Sequence, residues 1–443
     1  MNERLIEATK NNNLEAVKYA IENGADIHAN ADAALCWSAS RGHLDVVKYL
    51  VENGADIHLD GDLAFRWAAT SGHLDVVKYL LENGVDVRTN DDYALRYAAG
   101  SGHLDVVKFL IENGADIHAD NDDALRLVAE NGYLEIVKYL VENGANINAC
   151  KYRKYALGCA AENGHLNVVK YLIENGADVH AENNDALRCA ASNGHLGIVK
   201  CLIENGADIH VDDNYALRYA AENGHLNVVK YLIENGADIH ALREEALKIA
   251  AKNGHLDVVK YLIKNGADIH ADNDDALVWA GLEKHTAIVK YLVENGADIH
   301  ADDDLMLRLA SSRGEIDLVK YLIKNGADIN ACKYRKYVLD LAVEGRHIKT
   351  IKCLVENGAD IHADDDYALR LASRNGHIDV VKYLIENGAN IHVNDDEPLR
   401  LARANKHSET VKLLESAMQK VPDALTKEVT AVKNKASTPK RKL

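Results

Sequence analysis

The stretch ALRYAAENGHLNVVKYLIENGADIHA, Ala216 to Ala241, decides how this chain is read, because near copies of it fill the 443 residues from end to end. An Asn-Gly pair before Ala-Asp, or a close equivalent, closes each copy, at Gly24, Gly54, Gly84, Gly114, Gly144, Gly176, Gly206, Gly236, Gly266, Gly296, Gly326, Gly358 and Gly388. Successive glycines stand 30 residues apart, with two intervals of 32. A fixed period in this range predicts a solenoid, whose units are too small to bury their own apolar faces and must stack on neighbours.

Within the unit the apolar spacing predicts two short helices. Leu217, Ala220 and Ala221 fall at i, i+3 and i+4, and Leu226, Val229, Leu232 and Ile233 repeat the stripe. Gly224 separates the helices and Gly236 ends the second, both suited to a left-handed C-cap. Ile239 opens a short run to the next unit, so the connector is expected to be a turn or a hairpin.

This unit resembles the ankyrin repeat, through the residues AA-x-x-GH-L-x-x-V-x-x-L-I-x-x-GAD. It departs from the family in its shortened period and in the Thr-Pro-Leu-His box, which becomes Tyr-Ala-Leu-Arg at Tyr215 to Arg218. Only Glu397-Pro398-Leu399-Arg400 keeps the proline. In style the array is similar to the short-repeat ankyrin proteins of giant DNA viruses that infect amoebae. The resemblance implies an all-α repeat solenoid, an ankyrin stack of helix-turn-helix units joined by short hairpin or turn connectors. Residues 1–28 read as an N-terminal capping unit, with Asn11, Asn12 and Asn13 where later units place the Gly-His link. Residues 29–419 give thirteen further helix pairs, the last a cap. With packed helices about 8 to 10 Å apart, one continuous stack of this kind would extend on the order of 110 to 140 Å and offer a curved surface instead of a pocket.

The net charge of -18 conceals a split. The tail 420–443 carries seven Lys or Arg against two acids, which leaves the array near -23. Such an array is expected to repel nucleic acid and anionic membranes. The tail is too polar to form a core, and its end, Lys440-Arg441-Lys442, is a candidate nuclear localisation signal. Seven cysteines include no CxxC pair, and Cys159, Cys189, Cys201 and Cys353 fall where other repeats place Leu, Tyr or Ile. They read as small core residues in a reducing compartment. No apolar run reaches the length of a membrane span, so an intracellular, monomeric protein is expected.

Twenty-one histidines invite a search for catalysis or metal binding, yet all of them lie on the repeat grid. Eleven occupy the Gly-His link, as His43, His73 and His225 do, and ten occupy the connector, as His28, His180 and His240 do. A residue repeated at every layer is structural, since an active site needs a local constellation that breaks symmetry. Neither His225 and His240 nor their equivalents have HxxxH spacing, and GxxxxGK[ST], GxGxxG, HExxH and GxSxG are absent from the sequence. No enzyme, cofactor or metal site is expected. The resemblance implies a scaffold for host or viral protein partners, bound through connector tips and the concave face. The alternatives are a substrate adaptor for a host ubiquitin ligase, for which the residues after Gln419 are too few to form an ordinary recruiting domain, and a nucleic-acid-associated protein.

Two regularities precede the first helix. Three residues before its leucine stands an acid or asparagine, as in Asp32, Asp62, Asp92, Asp122, Asn184, Asn214, Glu244, Asp274, Asp304, Asp366 and Asp396. That residue is expected to cap the helix N-terminus. Four residues further on comes Arg66, Arg96, Arg126, Arg188, Arg218, Arg308, Arg370 or Arg400, an i, i+4 acid–arginine pair.

The two longer intervals break this pattern with one octapeptide, NACKYRKY, at 148–155 and again at 330–337. Lys151, Tyr152, Arg153, Lys154 and Tyr155, and likewise Lys333, Tyr334, Arg335, Lys336 and Tyr337, form basic aromatic tips where the other connectors carry acids. Arginine and tyrosine are enriched in binding hot spots, so these ten residues are the candidate partner-binding set. An acidic partner is the expected ligand, and duplication of a six-unit block is the competing explanation of the copied sequence.

Overall fold

The computed structural model describes residues 1–420. The remainder of the tail, including Lys440-Arg441-Lys442, lies outside the described residues. The chain divides into two compact units, Met1–Ala246 and Leu247–Leu443, each described here by itself. Among the described residues twenty-eight helices form fourteen pairs, such as Val211–Glu222 with Leu226–Glu234 in the first unit and Ala363–Asn375 with Ile378–Glu386 in the second. Within each unit first helices pack against their own second helices and against the first helices of following repeats, as Thr89–Gly100 does on Ala119–Asn131 and Ala363–Asn375 on Val393–Ala404, giving an all-α stack.

The predicted apolar stripes supply much of the core, with one shift: Leu226 and Ile233 are only half-buried, and Val228 is buried in their stead. Ala98, Ala99, Val106, Val107 and Leu110 are fully buried in the first unit, as are Leu369, Ala372, Val380, Val381 and Leu384 in the second. Each buried Leu or Val contributes roughly 1.5 to 3 kcal/mol, and the paired alanines let neighbouring backbones approach closely. Link glycines have a second constraint besides their left-handed backbone. At Gly194, with φ +75°, an added Cβ would lie 2.5 Å from Nδ1 of His225 in the next repeat. That imidazole reaches back to the Ser192 carbonyl at 2.9 Å, and His43, His165, His285 and His407 make the same backward bond. Where Lys284 and Arg346 replace the glycine they adopt φ +67° and +55°, and His285 and His347 keep their bonds at 2.9 and 3.0 Å, so the links with the most divergent sequences retain the common geometry.

The connectors are of two kinds. In the 30-residue units three consecutive residues turn left-handed, as at Asp120, Asn121 and Asp122, with φ of 54°, 60° and 54°. Among L-residues Asp and Asn tolerate this region best, which accounts for the Asp/Asn richness of the connectors. The acid expected to cap the helix is therefore the last residue of this turn, and its bonds go elsewhere. Oδ1 of Asp122 accepts the backbone N–H of Asn146, 24 residues on in the next repeat, at 2.8 Å. Asp92, Asn214, Asp304 and Asp366 do the same at 2.8 Å. His118 Nδ1 stands 3.1 Å from the same Asp122 oxygen. The buried acid joins two repeats; it does not cap its own helix.

The expected i, i+4 acid–arginine pairs are also replaced. Arg370 donates from Nε to the Asp365 carbonyl at 3.0 Å and from Nη2 to the Asp364 carbonyl at 2.8 Å. Arg400 repeats this with Asp395 and Asn394, and Arg96 with Asp91 and Asn90. The planar guanidinium fork thus holds the carbonyls of the left-handed turn. Arg126 and Arg188 turn instead to Asp123 and Asp185.

Candidate partner-binding hairpins

The 32-residue intervals use their two extra residues to build the β-hairpins, one in each unit. In the first, β1 (Cys150–Lys151) pairs antiparallel with β2 (Lys154–Tyr155), Cys150 opposite Tyr155 and Lys151 opposite Lys154. In the second, β3 (Cys332–Lys333) pairs with β4 (Lys336–Tyr337) in the same register. Two-residue turns of this kind need positive φ at both central positions, which Asn-Gly adopts at least cost. Here Tyr152 and Arg153 take 51° and 63°, and Tyr334 and Arg335 take 54° and 60°. Bulky residues in this region cost on the order of 1 to 3 kcal/mol each.

The asparagine that opens the octapeptide has a structural task. Asn148 Oδ1 accepts the Asp178 N–H at 2.9 Å, and Asn330 Oδ1 accepts the Asp360 N–H at 2.8 Å. Each takes over the inter-repeat bond that the buried acid makes elsewhere.

All six cations of the two tips are engaged within their own unit. Lys151 is folded back, its side chain 14% exposed, onto Asp120 and onto Asp123 at 3.4 Å. Burial pulls its ammonium pKa down, but the two carboxylates outweigh that and leave it raised. Arg153 meets Glu182 at 2.7 Å and Lys154 meets Glu162 at 3.3 Å. In the second unit Lys333 pairs with Asp302, Arg335 with Asp364 at 2.6 Å and Lys336 with Glu344 at 3.1 Å. The reversal of charge thus has a source in the fold: each hairpin stands between the acidic turns of the repeats before and after it. Such surface pairs contribute only about 0 to 1 kcal/mol each.

Tyr155 and Tyr337 are half-buried at the hairpin bases beside the Cys150 and Cys332 thiols. Tyr152 and Tyr334, by contrast, are 89% exposed, the most exposed of the large hydrophobic side chains among the described residues. Arg153 and Arg335 stand beside them with side chains 84% and 83% exposed. Lys154 and Lys336 are exposed too, but only by about half, so of the ten candidate residues these four stand out furthest.

The surface is not pocket-free, as the sequence had suggested. Beneath the first hairpin lies an open hollow of about 490 Å³, bordered by Tyr152, Glu182, Asp185, Arg188 and Tyr215. Gly158, Cys159 and Cys189 line it where other repeats carry Arg, Trp, Tyr or Leu. A signal was present in the sequence, since Gly158 is one of the gaps in the arginine series, beside Cys36, Lys248, Val278 and Asp340, and the one that leaves no side chain. In the second unit the equivalent positions are filled by Asp340, Leu341 and Leu371. Asp340 is buried, accepts the Tyr337 N–H at 3.0 Å, and has its carboxyl pushed up to about 6 chiefly by burial.

No group of three or more His, Cys, Asp or Glu side chains among the described residues is placed to hold a metal ion. No helix among them is long and apolar enough to cross a membrane. The family profile described as ankyrin repeats (3 copies) matches the chain at residues 5–91, 95–183, 160–243, 217–303, 302–365 and 362–423. The chain matches none of the curated proteins compared with it.

Proposed function

The chain belongs to the ankyrin repeat family, whose arrays are protein–protein interaction modules, and from that premise we propose that it is a non-enzymatic scaffold whose NACKYRKY hairpins are protein-docking elements. The observation that carries this reading is the exposure of Tyr152 and Tyr334, each 89%, on backbone that a tyrosine occupies at a cost. Neither ring fills a core, and Asn-Gly would close the turn with less strain. An exposed tyrosine offers a large apolar face with little conformational entropy to lose, and the neighbouring arginine adds a guanidinium edge.

Because the lysines and arginines of each tip already have carboxylate partners, simple attraction of an acidic ligand is a weaker account than stacking on the tyrosine. Nucleic acid is disfavoured by the negative charge of the array. Tyr152→Ala, Tyr334→Ala and the double variant, compared with the parent for proteins retained from lysate and then for affinity toward any one recovered, test the proposal. Loss of at least tenfold in affinity with unchanged denaturant midpoints is expected. A double variant that binds as tightly as the parent, with Lys151, Arg153 and Lys154 and their counterparts reversed in charge and equally silent, would show the hairpins to be spacers.

A further inference from the structure

The hollow beneath the first hairpin has the form of a socket from which one side chain is missing. In three other repeats the cation that follows the first-helix leucine reaches an acid 24 or 27 residues on, in the next repeat. Arg96 Nη1 meets Asp120 at 2.7 Å and Asp123 at 3.1 Å. Within the second unit Lys248 meets Asp272 at 2.9 Å, and Arg370 meets Glu397 at 2.9 Å. At Gly158 the receiving residues 24 and 27 positions on are both acids, Glu182 and Asp185, but glycine brings no cation to them. A Cβ built on Gly158 would stand 3.0 Å from Asp185 Oδ2, so that carboxylate lies directly against the glycine and would have to shift slightly for any side chain there.

The carboxylate pairs can be compared within the first unit. Asp120 and Asp123 together receive three cations: Arg96, Lys151 and Arg126. Glu182 and Asp185 receive two, Arg153 and Arg188, and the third place is the hollow. On the wall of the hollow, the Tyr215 ring is already taken, stacked on Tyr219 at 4.0 Å and overlain by Arg218 and Arg188 at 5.1 and 5.7 Å, so the two carboxylates are what the hollow offers a further cation.

We propose that this hollow binds an arginine side chain of a protein partner, its guanidinium taking toward Glu182 and Asp185 the place that Arg96 takes toward Asp120 and Asp123. Arginine is preferred over lysine because one planar fork spans both carboxylates, as Arg96 does with Asp120 and Asp123. The inference is separate from the reading of the hairpin tips, since it concerns the floor of the hollow and only the first of the two copies.

The test uses the full chain and a blocked Gly-Ser peptide with one central arginine, beside versions carrying citrulline or lysine at that position, with titrations at low and moderate salt. The arginine peptide is expected to bind at least tenfold more tightly than the citrulline peptide and measurably more tightly than the lysine peptide. Gly158→Arg, which supplies the missing side chain from within once the Asp185 carboxylate gives way, should abolish that preference. If this variant does not fold, Glu182→Gln combined with Asp185→Asn takes its place and should remove the preference equally. Equal binding of the arginine and citrulline peptides, equal binding of arginine and lysine, or an unchanged preference in the filled or neutralised hollow would each overturn the assignment. Because the probe is a peptide, the outcome is independent of whether the tyrosine variants affect any captured partner.

Discussion

At the scale of the residue, the buried acid of each left-handed turn has more to do than a helix cap does. Asp122 must tolerate φ of 54° and must also supply the acceptor for Asn146 of the next repeat. Alanine meets neither need, so Asp122→Ala is expected to cost roughly 2 to 3 kcal/mol, from left-handed strain and the lost bond to Asn146 of the next repeat. Asp122→Asn keeps the acceptor and the backbone preference, as Asn184 and Asn214 do at equivalent positions, and should stay within about 0.5 kcal/mol of the parent. Urea midpoints of the two variants check both figures, and equal midpoints would return the residue to an ordinary surface position. Asp340 gives a pH-dependent case. Its folded pKa, about 6, lies above the ordinary carboxyl value near 3.9, so between these values the folded chain holds more protons than the unfolded one. This group therefore favours folding below about pH 4, loses that advantage as pH rises to about 6, and adds a constant cost above it. Asp340→Asn should match the parent near pH 4 and exceed it by on the order of 2 to 3 kcal/mol above pH 6. A stability difference that is flat across that range would rule out burial of the charged form as the cause.

Elements show why part of this fold was legible from sequence and part was not. Helices follow from periodicity: Leu217, Val229 and Leu232 announce their own burial, and the link and terminal glycines mark the helix ends. The left-handed turn was hidden because Asp-Asn-Asp before a helix has the same letters whether it caps the helix or coils the other way. Only the partner 24 residues away distinguishes the two. Likewise Arg370 reads as one half of an i, i+4 pair, although its fork is closed on carbonyls, which carry no side-chain signature. At the hairpins the site residues were legible as an anomaly, but their pairing with Glu182 and Asp364 was not, since those acids lie in another repeat. The turn itself makes a prediction. Replacing Tyr152-Arg153 by Asn-Gly should relax two positive-φ positions and raise stability by about 1 to 2 kcal/mol, while losing only a surface ion pair. If the tips dock partners, the same variant should bind less while being more stable, the usual exchange between stability and function. A variant that is no more stable than the parent would mean that tyrosine and arginine sit in this turn without strain.

For the molecule as a whole, the connections from repeat to repeat are mostly between neighbours in sequence, which determines how damage spreads. His43 reaches Thr9, Asp122 reaches Asn146 and Arg96 reaches Asp123, each bond crossing one repeat boundary. Stability in such an array is approximately a sum of unit terms and nearest-neighbour interface terms, instead of one cooperative total. A lesion at one boundary should therefore raise local opening in the repeats on either side and leave remote ones near their original protection. Hydrogen exchange read by mass spectrometry on Asp122→Ala provides the measurement. Faster exchange is expected in peptides from the helices Ala119–Asn131, Leu134–Glu142 and Leu166–Glu174, which flank the lost bond between Asp122 and Asn146. Peptides from Asn2–Lys10 and Leu14–Glu22, several interfaces away in the same unit, should exchange as in the parent. Uniform acceleration throughout the first unit would mean that its repeats open together, and that the energies assigned here to single boundaries are shared by the entire stack of that unit.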